Sequence, residues 1–362
     1  MKLFKTIVSF LCVTSLLVAC GSSDDDYNDS AEIPNCLGFE EATLKLTIQD
    51  TYETLPGKVS VFFKVNDTEG NAVPNLQANN FNIFEQGTND DCPRAISPSE
   101  SNGRISPNTQ IFNTNTLLVL DLSNSVLSAS LEELKAASVS FIDEVMPEVA
   151  DEQYKMAIYW FDGEEQLHEL NPLTTNREEL KMAVDGITTD ISNDPSTNLY
   201  GAVVNSTKIA TDILNENEGN DVLAASSIVI FTDGTDQAAR VDEGTALSTV
   251  ENANDNISFF TIGLGDEIDE DVLQRIGKTA SAFASNKDEL EDTFEEISDN
   301  VAGQAKSYYL FEYCSPKRSG VNDLIIQAVQ GKNKEQIKQK LMLLGLLEEV
   351  NKNYYIFRGI AL

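Results

Sequence analysis

The stretch TLLVLDLSNS, residues 116–125, joins an apolar run to a polar loop. The four apolar residues 117–120 are typical of a strand that is covered on both faces of a parallel sheet. Asp121, Ser123 and Ser125 follow at alternate positions. Open α/β sheets bind their ligands in loops at the carboxyl ends of central strands. Because carboxylate and hydroxyl oxygens suit hard cations, this stretch predicts a site for a divalent cation such as Mg²⁺.

Around this stretch, strands alternate with amphipathic helices over residues 115–303. Buried strands are predicted at residues 154–161, 226–231 and 257–264, and an antiparallel edge strand at residues 166–170. Helices are predicted at residues 130–145, 177–184, 199–214, 269–277 and 288–301. The alternation predicts an α/β fold with a doubly wound, mostly parallel sheet and helices on both faces.

Two further polar loops fall at expected element boundaries. Thr197 lies just before the helix predicted at residues 199–214, and Asp233-Gly234 follows the strand at residues 226–231. Taken singly, helix capping explains Thr197, and tight turns explain the other two loops. Taken jointly, those explanations leave two strand-end aspartates and three hydroxyls at one edge of the sheet for no reason, so a metal site is the stronger hypothesis.

The DLSNS sequence, residues 121–125, matches the DxSxS signature of von Willebrand factor type A (VWA) domains. The other two loops resemble the second and third loops of that family, and the resemblance covers residues 115–303. It implies a metal-ion-dependent adhesion site (MIDAS). In such a site Ser123 and Ser125 would bind the metal directly, and Thr197 directly or through water. Asp121 and Asp233 would act through bound waters.

The same resemblance implies a cofactor and a kind of partner. The metal would be Mg²⁺, with Mn²⁺ or Ca²⁺ as alternatives. Hydroxyl ligands leave such a metal strongly electrophilic, since little anionic charge quenches it. A protein or extracellular-matrix-like partner would then supply an acidic residue to the open coordination position.

The amino-terminal residues predict export and lipid anchoring. Residues 1–19 have lysines before a short apolar stretch, which is typical of a secretory signal peptide. Residues 17–20, LVAC, resemble a bacterial lipobox, which implies cleavage before Cys20 and acylation of its thiol. Residues 20–34 are polar and rich in acidic side chains, which predicts a tether. They also resemble a surface-export signal of lipoproteins in some Gram-negative bacteria. We therefore expect an outer membrane lipoprotein at the cell surface, with a periplasm-facing protein as the alternative.

Segments on both sides of the α/β region have a β pattern. Residues 35–110 alternate short β runs with turns and predict part of a β-sandwich. Within them, residues 59–87 resemble the immunoglobulin-like modules of bacterial surface proteins. Residues 307–332 are expected to complete this sandwich, which would make the α/β domain an insertion. The tail, residues 333–362, combines a helical with a β-like pattern and has no assigned structure.

Cysteine usage fits an exported chain. Cys36, Cys92 and Cys314 remain beside the lipidated Cys20, and an oxidising compartment permits one disulfide among them. Pairing of Cys36 with Cys92 and a pair that includes Cys314 are both open. The absence of any CxxC pair disfavours a cysteine-bound zinc ion.

Charge and motif content restrict the function. The net charge is −34, with 59 acidic against 25 basic residues, which excludes a nucleic-acid-binding protein. The sole histidine, His168, lies on the predicted edge strand at the surface, and no hydrolase motif accompanies it. We expect a binding protein and not an enzyme. An envelope scaffold or assembly factor is the alternative, and a hydrolytic enzyme or accessory subunit is less favoured.

Overall fold

The computed structural model describes residues 44–54, 58–87, 90–97, 104–107, 112–220, 222–315 and 322–329, together with Leu37. The predicted signal peptide (1–19), the tether (20–34) with Cys20, and the tail (333–362) lie outside these residues. Among the described helices, none combines the length and the apolar character needed to cross a bilayer.

The described residues form β-strands and α-helices in the following order. The elements are β1 (Leu44–Thr54), β2 (Lys58–Asp67), β3 (Phe81–Gly87), β4 (Arg94–Ile96), β5 (Arg104–Pro107), β6 (Phe112–Asp121), α1 (Asn124–Ala129), α2 (Leu131–Val145), β7 (Tyr154–Phe161), β8 (His168–Thr174), α3 (Arg177–Asp185), α4 (Leu199–Gly219), β9 (Leu223–Thr232), α5 (Glu243–Glu251), β10 (Ile257–Leu264), α6 (Glu270–Ile276), β11 (Ala280–Ala284), α7 (Leu290–Ala305), β12 (Tyr308–Cys314) and β13 (Asn322–Ala328).

The central sheet has six strands in the order β11-β10-β9-β6-β7-β8. All neighbouring pairs are parallel except β7 and β8, which pair antiparallel at the edge. Helices cover both faces, so the predicted doubly wound α/β fold is confirmed.

The apolar run of β6 is continuous because each face of the sheet has its own core. Leu118 and Leu120 pack with α1, α2, α3 and α7 on one face. Leu117 and Val119 pack with α4, α5 and α6 on the other face. All four side chains are fully buried, which removes any position where a polar residue would be tolerated.

The site position follows from this topology. The chain leaves β6 toward α1 and α2 on one face, whereas it leaves β9 toward α5 on the other face. Because β6 and β9 are neighbours, their carboxyl ends form the crevice in which doubly wound sheets bind ligands. Asp121 and Thr232 are the last residues of these two strands.

Two smaller antiparallel sheets form a sandwich beside the α/β domain. One sheet has the order β1-β2-β12-β5, and the other has the order β13-β3-β4. Their facing side chains share one core, in which Phe63, Tyr309 and Ile326 are fully buried. The α/β domain therefore leaves the sandwich after β5 and re-enters it at β12, and β5 and β12 are hydrogen-bonded neighbours.

A small aromatic cluster joins the sandwich to the amino end of the central sheet. Phe62 of β2, Phe112 of β6 and Tyr308 of β12 pack together with Ala225 of β9. The ring of Tyr308 lies 4.8 Å from that of Phe112 and 5.7 Å from that of Phe62. This contact lies at the end of the sheet opposite to the crevice, because Phe112 is the first residue of β6.

The cysteines divide into one bonded and one free residue within the described part of the chain. Cys92 is disulfide-bonded, and its partner lies outside the described residues, as does Cys36. Cys314 is a free thiol. A pair that includes Cys314 is therefore not formed, and its thiol is exposed to solvent at the end of β12.

Candidate metal centre

The first loop of the centre begins with a fully buried carboxylate. Asp121 ends β6, and its side chain has no solvent exposure. Its Oδ1 accepts a hydrogen bond from the backbone N–H of Ser123 at 2.9 Å, and its Oδ2 accepts one from Thr232 Oγ1 at 2.6 Å. A buried anion with two hydrogen-bond donors and no basic partner among these contacts favours a nearby cation.

The two serines of this loop point toward each other instead of capping the helix. Ser123 is the N-cap residue of α1, yet its side chain makes no capping hydrogen bond. Its Oγ lies 3.2 Å from the Oγ of Ser125, and Ser125 Oγ donates to Asp233 Oδ1 at 2.9 Å. The Ser/Asn-turn explanation therefore does not account for where these hydroxyls lie.

Thr197, in the second loop, is buried with 2% exposure. Helix capping does not explain it, because Asn198 is the N-cap residue of α4 and accepts from the backbone N–H of Gly201. The carbonyl oxygen of Thr197 accepts from the backbone N–H groups of Gln237 and Ala238 at 2.8 and 3.0 Å. These two bonds fix Thr197 to the loop that follows β9.

The third loop contains Thr232, Asp233 and Gly234. Thr232 Oγ1 donates to Asp121 and accepts from the backbone N–H of Gly234 at 3.2 Å. Asp233 is partly exposed, and it accepts from Ser125 of the first loop. Asp233 thus bonds across to a neighbouring loop, which a simple tight turn does not require.

Hydrogen bonds connect all three loops. The backbone N–H of Asn124 donates to the carbonyl oxygen of Pro195 at 3.2 Å, which joins the first loop to the second. Contacts of Ser125 and Thr232 join the first loop to the third, and those of Thr197 join the second to the third. The five predicted ligands therefore lie on three mutually bonded loops at one edge of the sheet.

Electrostatics indicate that this edge suits a cation. Burial raises the pKa of Asp121 to about 7, hydrogen bonds from Thr232 and Ser123 oppose the rise, and the charge of Asp233 adds to it. Burial also raises the pKa of Asp233, to which the nearby charge of Glu267 contributes. A divalent cation between the two carboxylates would stabilise both charged forms.

The donor set fits a hard divalent cation with an open side. Asp121, Ser123 and Thr197 are buried at 0–2% exposure, whereas Ser125 is exposed and Asp233 partly exposed. The five side chains offer carboxylate and hydroxyl oxygens, which Mg²⁺ prefers. The three buried side chains form the floor of the site, and the exposed side leaves access for water or for an oxygen of a partner.

A sequence model of the von Willebrand factor type A domain matches residues 115–300, just over half of the chain. The chain belongs to this family. VWA domains mediate protein–protein interactions, and their MIDAS motifs bind divalent metals. The predicted family membership is thus confirmed, and the matched range includes all three loops described above.

Several solved structures are similar to parts of this chain at low sequence identity. BatB from Bacteroides thetaiotaomicron has 20% identity over 54% of this chain and all of its own, with a TM-score of 0.42. A VWA protein from Catenulispora acidiphila has 11% identity over 78% of this chain and 73% of its own, at 0.44. Proximal thread matrix protein 1 from the mussel byssus, solved with a zinc-occupied MIDAS motif, has 13% identity over 53% of this chain and 48% of its own, with a TM-score of 0.43. At these scores none of them informs the function of this chain.

Sequence reasoning missed several residues that support the centre. Thr232 donates a hydrogen bond to Asp121, and Asp162 directly follows β7 and contacts the second loop. Asp162 is not among the predicted site residues, although it shares one pattern with Asp121 and Asp233. Each of these three aspartates ends, or lies one residue from the end of, an apolar strand of the same sheet. That repetition is the signal by which Asp162 is recognisable.

Proposed function

We propose that this chain is a lipid-anchored binding protein of the cell envelope or cell surface, whose VWA domain uses a divalent cation to bind an acidic group of a protein or matrix partner. The observation that carries the proposal is the joining of Asp121, Ser123, Ser125 and Asp233 by hydrogen bonds across the β6–β9 crevice.

The chain's own residues divide the work of such a site. Ser123 and Ser125 offer neutral hydroxyl oxygens, so a bound metal keeps most of its charge for a ligand. Asp121 is buried next to them, and its carboxylate attracts a cation to this edge of the sheet. When bound, a divalent metal such as Mg²⁺ supplies an open coordination position that a partner carboxylate can occupy.

A binding role is favoured over an enzymatic one by the residues near the crevice. No histidine acts as a base for the loop serines, because the sole histidine, His168, contacts Glu164 after β7, with Nε2 at 3.1 Å from the carboxylate. Asp121 is hydrogen-bonded to Ser123 and Thr232. Phosphatases of doubly wound fold typically have a second carboxylate two residues after the first. In this chain that position is Ser123, so the second carboxylate is replaced by a hydroxyl. Hydrolytic turnover by the purified chain would support the enzymatic alternative.

The test is crosslinking in intact cells with Mg²⁺ and with chelator, followed by identification of the captured partner. We expect a metal-dependent partner that is lost in the double variant Asp121→Ala plus Ser123→Ala. Ser128→Ala is the matched control, because Ser128 is an exposed serine of the same helix α1. Capture that persists with chelator and in the double variant would exclude a metal-dependent site.

The identity of the partner separates the proposed role from the scaffold alternative. A matrix or surface protein of another cell or host supports adhesion, whereas an envelope protein of the same cell supports assembly. Anchoring is tested independently with Cys20→Ser, which we expect to move the chain from the membrane to the soluble fraction. Protease added to intact cells then distinguishes the cell surface from the periplasm.

A further inference from the structure

The hairpin between β7 and β8 places a second group of metal-binding side chains beside the VWA centre. Asp162, Glu164 and His168 each offer one ligand atom, and these atoms lie within 4.8 Å of one another. None of the three belongs to the five predicted MIDAS residues. Asp162 is fully buried, whereas Glu164 and His168 are partly exposed at 39% and 25%.

The contact between His168 and Glu164 does not have hydrogen-bond geometry. His168 Nε2 lies 3.1 Å from Glu164 Oε2. Yet Nε2 is buried and makes no hydrogen bond, so the carboxylate oxygen lies off the axis of the ring nitrogen. Neighbouring ligands of one ion bound at about 2.0–2.2 Å lie about 3.0–3.5 Å apart. The observed pair has the separation of two such ligands.

The remaining ligand is held in place by the second loop. Asp162 Oδ2 accepts from Ser192 Oγ at 2.7 Å and from the backbone N–H groups of Asn193 and Asp194 at 3.2 Å. Asp162 Oδ1 accepts only from the backbone N–H of Glu164, at 2.8 Å. A carboxylate oxygen has two lone-pair directions, so one direction of Oδ1 stays open. Hydrogen-bonded carboxylates of this kind are usual among metal ligands.

The imidazole is also fixed before any ion binds. The ring of His168 stacks on Trp160 at 4.1 Å with an interplanar angle of 14°. Trp160 is itself buried at 7% exposure. A ligand whose ring is already oriented loses little conformational freedom on binding, which raises its affinity for an ion.

We propose that Asp162, Glu164 and His168 form a second metal site, separate from the MIDAS, for a divalent transition ion of the Zn²⁺ class. One imidazole and two carboxylates suit such an ion better than Mg²⁺, which prefers oxygen ligands alone. Solvent access at Glu164 and His168 leaves the other coordination positions to water.

This second site adjoins the segment that presents Thr197. The backbone N–H of Asn198 donates to the carbonyl oxygen of Asp162 at 2.9 Å, and Asn198 Nδ2 donates to that of Glu164 at 2.8 Å. An ion that holds the hairpin together therefore also holds the residue next to Thr197. Its binding does not require that the MIDAS is occupied.

The test uses the full chain with ¹⁵N-labelled histidine, because His168 is the sole histidine and gives one imidazole signal. Addition of stoichiometric Zn²⁺ is expected to shift the Nε2 resonance, and excess Mg²⁺ is not. Glu164→Gln is expected to weaken the Zn²⁺ response about tenfold or more. Glu165→Gln is the matched control, since Glu165 is an exposed neighbour, and it is expected to respond like the parent chain.

Three results would overturn the proposal. One is an Nε2 resonance that Zn²⁺ leaves unchanged, which would identify the contact as an ion pair only. Another is an equal Zn²⁺ response in Glu164→Gln and in Glu165→Gln. The last is loss of the response in Asp121→Ala plus Ser123→Ala, which would assign the zinc effect to the MIDAS. The metal dependence of partner capture is measured separately, so the two proposals fail independently.

Discussion

Asp121 and Asp162 occupy corresponding places on adjacent strands but differ in how their charge is stabilised. Both side chains are fully buried at the carboxyl end of the central sheet. Asp162 accepts four hydrogen bonds, three of them from residues 192–194. Asp121 accepts two and lies close enough to Asp233 for that charge to raise its pKa. One carboxylate is stabilised mainly by the protein, whereas the other requires an added positive charge.

The comparison distinguishes a carboxylate that the protein itself stabilises from one that depends on an added cation. A buried carboxylate with enough hydrogen-bond donors keeps its charge without a counter-ion, whereas one with few donors needs a nearby cation to stay charged. The second loop is thus anchored by Asp162, and the first loop depends on what binds between Asp121 and Asp233. In the metal-free chain we expect loss of the Asp162 carboxylate to lower the free energy of unfolding. Loss of the Asp121 charge is expected to remove a source of instability at neutral pH.

The largest effect is expected from Asp162→Ala. The change leaves three backbone N–H groups without their acceptor, whereas the Ser192 hydroxyl can still donate to the carbonyl oxygen of Asp194. At about 1–3 kcal/mol for each unsatisfied group, the expected loss in free energy of unfolding is about 5 kcal/mol. Urea unfolding of the metal-free chain measures the loss, with the exposed Glu165→Ala as control. If Asp162→Ala lowered the free energy of unfolding no more than the control does, Asp162 would not be more strongly stabilised by the protein than Asp121.

The next largest effect is the pH dependence that Asp121 causes in the metal-free chain. Burial raises its pKa from the ordinary 3.8 to about 7 in the folded state. The stabilisation from its protonated form is complete below about pH 4 and is lost as the pH rises through about 7, and the full change is about 4 kcal/mol.

Asp121→Asn is expected to remove most of this slope, because the amide does not ionise. Asp233, whose pKa is also raised, leaves a smaller residual slope of the same sign. Urea midpoints from pH 4 to pH 8 in chelator measure both curves. Parallel curves for the two chains would show that Asp121 is not the titrating group.

A smaller effect is expected from Mg²⁺ at pH 8. Binding to the folded state alone raises the free energy of unfolding by about 2.7 kcal/mol at one hundred times the dissociation constant, and by less at lower concentrations. Thermal unfolding with Mg²⁺ and with chelator measures the gain. It should vanish in Asp121→Asn and persist in Glu164→Gln, because only the first variant alters the MIDAS.

The smallest change in stability is expected for Ser123→Ala. An N-cap serine commonly contributes about 1 kcal/mol, but the Ser123 side chain makes no capping bond. The metal-free variant should therefore stay within about 0.5 kcal/mol of the parent chain. The Mg²⁺ gain should nevertheless be lost. A full 1 kcal/mol loss with the Mg²⁺ gain intact would identify Ser123 as a cap and not as a ligand.

Much of the α/β domain was predictable because its strands are buried on both faces. The runs at β6, β7, β9 and β10 are nearly uninterrupted apolar sequences, so the pattern predicts these strands and their positions along the chain, and the polar residues that follow β6 and β9 indicate two of the loops. Helix α5 (Glu243–Glu251) was missed because its sequence, EGTALSTVE, is rich in Gly, Thr and Ser, which are weak helix formers. The predicted helix at residues 130–145 is preceded by the separate short helix α1.

Contacts between distant segments were not predictable from one sequence. Three of the four donors to Asp162 come from residues 192–194, which lie about thirty positions away in a loop without periodicity. His168 is expected at the surface from its sequence position, but its ring is partly covered by Trp160, which lies directly opposite it in the β7–β8 pair. Hydrogen-bond partners of this kind depend on the folded geometry of loops, which residue patterns do not encode.

The insertion of the α/β domain has a mechanical consequence. A pull on a partner held at the VWA loops reaches the sandwich along two routes, through β6 into β5 and through α7 into β12. Those two strands are adjacent, with partners from Tyr309 opposite Pro107 to Glu312 opposite Arg104. The load is therefore shared by two covalent attachments to one sheet, and a single backbone cut between β5 and β6 leaves the domain tethered through β12.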